Sequence, residues 1–97
     1  MDFLVRMELK WPDGRDRGDL EALIAQETAR GNELVAAGLV QGIWRLPGRR
    51  GNVSVWSAAD ASELHRAIQS LPLFAWLDID VQALAGHPVR APFSVRP

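Results

Sequence analysis

Hydrophobic spacing along this chain switches from a period of two to a helical period and back, twice, and that rhythm constrains the fold more than any single motif. The opening "FLVRMEL" places Phe3, Val5, Met7 and Leu9 on one side and Leu4, Arg6 and Glu8 on the other, as a half-covered strand does. "WPDGRDRGD" is turn-rich, and Asp19 is the predicted cap of a helix running from Leu20 to Ala37. Leu20, Leu23, Ile24, Leu34 and Val35 give that helix its apolar stripe; Gly38 stops it, and Gly31 sits inside it as a weak point. "LVQGIWRLPG" and "NVSVWSA" read as two strands joined by the basic turn "GRRG". Asp60 or Ser62 caps a second helix with Ala61, Leu64, Ile68 and Leu71 on one stripe, and "WLDIDVQAL" alternates as a last strand. The order βαββαβ predicts an α+β chain: a ferredoxin-like plait with a four-stranded antiparallel sheet and both helices on one face.

With 97 residues, 47% of them apolar, and a net charge of -1, one domain spanning 1–97 is expected. No charge excess points to nucleic acid or an anionic membrane. No apolar run approaches the roughly 20 residues of a membrane span, and the N-terminus alternates rather than forming a signal-peptide core, so the expected location is cytoplasmic. There is no cysteine, and His65 and His87 lack a ligand-like spacing, so neither a disulfide nor a metal is expected. A domain of this size buries about two thirds of its unfolded surface. Four tryptophans and three phenylalanines are a heavy aromatic load for such a core, which predicts a homo-oligomer. The tail "GHPVRAPFSVRP" has no helical pattern, and residues 88–97 are expected to form an extended arm docked on a neighbouring subunit.

Several residues interrupt these patterns. Positions 20, 27 and 34 fall nearly in line on a helix turning about 100° per residue, so Glu27 lies in the middle of the first apolar stripe and is expected to be mostly buried. Two readings stand: a structural ion pair with Arg6 or Arg45, or a carboxylate whose desolvation raises its pKa into the range of a general base. His65, at the edge of the second stripe, is either a backbone-bonded histidine or a proton carrier in the cleft of Glu27. Asn52 and Ser54 share a strand face with Trp56, as a polar sheet surface or as groups that orient a small ligand. Arg49 and Arg50 form a solvated turn or an anion site, whereas Asp78 and Asp80 are the polar face of the last strand. "SLPLF", Ser70 to Phe74, ends a helix in apolar residues; Leu73 and Phe74 there form a wall that excludes water or a surface packed on another subunit.

The chain resembles the muconolactone isomerase family along most of its length, up to Pro88. The resemblance rests on "FLVRM", Glu27, Gly38, "IWR", Gly48, "NVSV" from Asn52, "LH" at Leu64 and His65, "LPLF" from Leu71, "DIDV" from Asp78, and "HP" at His87 and Pro88. It implies a ferredoxin-like fold of the dimeric α+β type, assembled into rings of ten subunits, and a step in the catechol branch of the β-ketoadipate pathway. The implied reaction needs no cofactor. A proton leaves the γ-carbon of muconolactone, a furan-like dienolate forms, and a proton arrives at the α-carbon to give 3-oxoadipate enol-lactone. The resemblance makes Glu27 the base, His65 or Asn52 the oxyanion stabiliser, and Arg45 the partner of the substrate carboxylate, with Trp44, Ser54, Leu73 and Phe74 around the substrate. The alternatives are dehalogenation of chloromuconolactone, a divergent cyclase or small monooxygenase, or a non-catalytic ligand-binding oligomer. Where the family carries a lysine after the helix glutamate and a basic residue before "HP", this chain has Thr28 and Gly86. Weak turnover of muconolactone is expected unless Arg45, Arg49 or Arg50 reaches the pocket, and Arg90 is a further candidate to compensate.

Overall fold

The computed structural model describes residues 1–89. In chain order the elements are β1 (Asp2–Leu9), α1 (Arg17–Ala36), β2 (Val40–Arg45), β3 (Gly51–Ser57), α2 (Ala61–Gln69), a single 3-10 turn (Phe74–Trp76) and β4 (Leu77–Leu84). All neighbouring strands are antiparallel, in the order β2-β3-β1-β4, as the βαββαβ rhythm predicts. Phe3, Val5 and Met7 of β1 and Trp56 of β3 meet Leu34 of α1 and Leu64, Ala67 and Ile68 of α2 in one core, so both helices cover the same face. The expected arm is described only at Pro88 and Val89; residues 90–97, Arg90 among them, lie outside the described chain.

Local chemistry sets the helix ends. The cap of α1 is Asp16, not Asp19: the Asp16 carboxylate accepts from Gly18 N–H at 2.8 Å, and Asp19 instead lies in the first turn, where a negative charge favours the helix dipole. The far end closes with Gly38 at φ +80°, Leu39 N–H bonding Leu34 C=O at 3.0 Å and Gly38 N–H bonding Val35 C=O at 3.0 Å. Those two bonds define a Schellman ending, in which the left-handed residue is glycine because it has no Cβ to clash. In α2 the Asp60 carboxylate accepts from Glu63 N–H at 2.8 Å and Glu63 accepts from Ala59 N–H at 3.1 Å, so Asp60 rather than Ser62 is the cap.

The stripes differ in detail from their sequence reading. Ile24 and Val35 are 44% and 50% exposed, because α1 meets the sheet along the line of Leu20, Glu27 and Leu34. Ala61 is exposed, and Ala67 takes its place on the buried stripe of α2. The β2–β3 ladder slips between Val40 and Gly42, leaving Gln41 as the extra residue of a β-bulge. Cross-strand partners share a face, and Ile43 and Arg45 pair with Ser54 and Asn52. The bulge therefore turns Val40, Ile43 and Arg45 toward the helices and sends Gly42 and Trp44 to the other side.

Candidate functional site

Glu27 projects from the middle of α1 toward the turn that follows α2, and the turn answers with a backbone donor. Leu71 N–H is bonded to Ile68 C=O and Phe74 N–H to Leu71 C=O, while Pro72 has no N–H at all. Leu73 N–H is free of the backbone and donates to a Glu27 carboxylate oxygen at 3.0 Å. An apolar helix stop thus becomes a carboxylate holder. The side chain of Leu73 is buried and lines the cleft, whereas Phe74 packs against the core and lies outside the cleft lining.

Glu27 is half-buried rather than enclosed, and no cation among the described residues lies within ion-pairing distance of it. Arg6 belongs to the opposite face of the sheet, pairing across the ladders with Val53 and Asp80, so the structural ion pair with it does not form. Burial pushes the Glu27 carboxyl above its ordinary range, and the Leu73 N–H pulls it part of the way back. A carboxylate desolvated without a counter-charge is a proton acceptor of raised strength.

Two chambers open on either side of this group. One, about 570 Å³, is lined by Glu27, Asn52, Leu73 and the three guanidinium-bearing residues Arg45, Arg49 and Arg50. The other, about 330 Å³, is lined by apolar groups that include Leu34, Val40, Ile43 and Trp56 together with the polar Glu27, Asn32, Arg45 and Asn52. Met7, Glu27, Ile43, Arg45 and Asn52 border both, so the chambers form one cleft with the carboxylate at its waist. At the cationic end Glu8 lies 3.6 Å from Arg49 and 3.5 Å from Lys10, while Arg45 and Arg50 have no carboxylate partner among the described residues. The Asn52 side-chain oxygen is buried with no hydrogen-bond partner among the described residues, an unspent acceptor on the cleft wall.

The remaining expected site residues divide. Ser54 borders the apolar chamber, but its hydroxyl accepts from Trp56 Nε1 at 2.7 Å and lies 3.4 Å from Val5 C=O, so it holds the core tryptophan rather than a ligand. Trp44 faces the other side of the sheet, because adjacent strand residues point in opposite directions. His65 is exposed on α2 and does not line the cleft. The sequence reading gave no place to the Leu73 N–H and treated Arg49 and Arg50 mainly as a solvated turn. A free backbone donor has no residue-type signature, and the five residues between β2 and β3 show their direction only once folded.

A family model described as muconolactone delta-isomerase matches residues 1–90. The chain is 35% identical over 85 residues to a muconolactone delta-isomerase of Rhodococcus opacus, covering 88% of this chain and 91% of that protein. It is 34% identical over 88 residues to the enzyme of the same name from Acinetobacter baylyi, covering 91% and 92% respectively. A crystal structure of muconolactone isomerase superposes with a TM-score of 0.88 at 32% identity, covering 99% of this chain and all of that one. The fold extends to a 5-chloro-2-hydroxyhydroquinone dehydrochlorinase of Burkholderia phenoliruptrix, at a TM-score of 0.63 and 16% identity over 90% of this chain and 96% of that one.

Proposed function

We propose that this chain, which belongs to the muconolactone delta-isomerase family, moves a proton within an unsaturated lactone acid of the muconolactone type, with Glu27 as general base. The observation that carries this reading is a half-buried carboxylate with no ion-pair partner among the described residues, held by one backbone N–H at the waist of a cleft whose one end is lined by arginines. Glu27 takes the proton from the γ-carbon, and the electrons spread through the ring to the lactone carbonyl oxygen as a furan-like dienolate. The same carboxyl, protonated and still desolvated, returns a proton at the α-carbon. A raised pKa suits the first half of that cycle, because a desolvated carboxylate is a stronger proton acceptor than an exposed one.

The dienolate needs a hydrogen-bond donor at its oxygen. Asn52 fits better than His65, since the donor it offers is a side-chain NH2 on a residue that borders the same chambers as Glu27, whereas His65 lies in solvent. The free carboxylate of the substrate is held by Arg45, with Arg49 and Arg50 beside it, through charge-assisted bonds that favour a planar guanidinium. These three supply the positive charge that Thr28 and Gly86 do not. The reading includes one domain over residues 1–97, self-association through the uncovered face of the sheet, and a cytoplasmic location in keeping with a chain free of cysteine.

The test is a spectrophotometric assay on muconolactone with wild type and Glu27→Gln. Turnover by the wild type that falls at least a hundredfold in the variant supports the assignment. Equal turnover by the two proteins removes Glu27 from the mechanism, and its absence in both removes the substrate.

A further inference from the structure

Gly31 is expensive where it stands. Glycine in a helix interior costs about 1 kcal/mol relative to alanine, and Gly31 lies well inside the 20 residues of α1. Neither ordinary reason for a buried-side glycine applies. Its φ is not positive, so no left-handed conformation requires it, and a Cβ built there meets no atom within 4 Å, so no neighbour presses against it. What lies beside it is the apolar chamber of about 330 Å³, one turn along α1 from Glu27. Leu34, Val35, Val40, Ile43 and Trp56 are among its apolar lining, Asn32, Arg45 and Asn52 stand on its polar border, and Thr28, also there, has its hydroxyl bonded back to Ile24 C=O at 3.0 Å. At about 30 Å³ per water-sized group, the chamber has room for about ten such groups beyond whatever the arginine end holds.

We infer that Gly31 keeps this chamber open for an apolar substituent of the substrate, so that the preferred ligand is an unsaturated lactone acid carrying an alkyl or similarly apolar group on the ring side opposite its carboxylate. This rests on the isomerase reading for the identity of the acid, and on the geometry of α1 and β2 for the substituent. The carboxylate goes to Arg45, Arg49 and Arg50, the ring crosses Glu27 and Asn52, and the substituent enters between Gly31 and Ile43. Burial of each methylene strengthens binding about fourfold, the equivalent of about 0.8 kcal/mol. The filled chamber also excludes water from one side of the carboxylate.

Calorimetric titration with furan-2-carboxylate and 5-ethylfuran-2-carboxylate tests this without turnover, because these planar acids resemble the dienolate and differ only in the substituent. Wild type is expected to bind the ethyl compound about tenfold more tightly. In Gly31→Leu, which fills the chamber from α1, the two acids are expected to bind within twofold of each other, with no loss of thermal stability since leucine favours the helix. Val35→Phe, at a half-exposed position on the same rim, is a second filling variant should the first fold poorly, and it is expected to narrow the gap in the same way. Equal binding of both acids by wild type overturns the inference, as does a tenfold gap that survives both variants. A preserved ethyl preference in a protein that isomerises no muconolactone sinks the reaction and leaves the chamber's role standing.

Discussion

Glu27 carries opposing demands in one side chain. Partial burial disfavours its charge, and a single N–H from Leu73 at 3.0 Å restores only part of what water supplied. Because its folded pKa is raised above the ordinary 4.5, the folded state holds the Glu27 proton more tightly than the unfolded chain does. The stability from this group is therefore fully present below the unfolded value and is lost as pH rises through the higher folded one. Activity runs the other way, since the base must be ionised. The acid limb of kcat/KM is expected to fall at a pH above 4.5, and the loss of stability on raising pH through the same window is expected to shrink in Glu27→Gln. Turnover of that variant is expected to drop roughly 100- to 10,000-fold, with its circular dichroism unchanged. A limb centred at or below the ordinary carboxylate value would contradict the desolvated base. Arg45 is argued from the substrate's side: loss of one charge-assisted bond is worth about 1.5 to 3 kcal/mol, so Arg45→Met is expected to lower kcat/KM by roughly 10- to 100-fold. Most of that change belongs in KM, because the carboxylate is held equally in ground and transition states. A fall confined to kcat would place Arg45 at the oxyanion instead.

Elements bring these residues to one place, and the hairpin does most of it. The bulge at Gln41 turns Arg45 inward, and Leu9 N–H bonds Arg50 C=O at 2.8 Å, fixing the arginine turn against β1. Gly51 begins β3 in close contact with β1: a Cβ there would collide with the carbonyl oxygen of Met7 and press on Glu8 Cα at 3.3 Å. Both neighbours are backbone, so the strand itself must move. Gly51→Ala is expected to destabilise by about 1 to 3 kcal/mol. That corresponds to a fall in Tm of roughly 4 to 8 °C per kcal/mol, readable by calorimetry. An unchanged Tm would mean that β3 moves away from β1 without cost. None of this closeness is visible in "GRRGN". The helix caps were partly legible: Asp60 carried its usual signature, but Asp19 was read as the start of α1, whereas it is the Asp16 side chain that reaches a free N–H.

At the scale of the whole molecule the sheet has one covered and one uncovered face. Leu4, Trp44, Val53 and Val55 share the uncovered side through the ladder pairs Leu4 with Val55 and Trp44 with Val53, and all four are partly buried without a helix above them. A further pair of tryptophans is already spent: Trp11 and Trp76 have ring centroids 5.2 Å apart, and the Arg15 guanidinium lies 4.7 Å from the second ring. Trp56 is 2% exposed in the core, which leaves Trp44 as the one tryptophan on the uncovered face. A homo-oligomer larger than a dimer is expected by light scattering at micromolar concentration, with Trp44→Asp lowering its mass. Removal of the residues after Pro88 is expected to lower it as well. A wild-type monomer at that concentration would refute both.

Sequence periodicity by itself determined the order of strands and helices, because alternation and helical spacing are local properties that any burying partner selects in the same way. It also singled out Glu27, since a carboxylate in line with Leu20 and Leu34 is out of place whatever the helix packs on. Tertiary structure decided what that carboxylate meets. Whether Arg6 or Arg45 lies near it depends on strand faces, and the single extra residue of the bulge in β2 orients Trp44 and Arg45. The Leu73 N–H and the space beside Gly31 are likewise products of assembly: one is a backbone donor that every non-proline residue has, the other a side chain that is absent, and each acquires meaning only from what stands opposite.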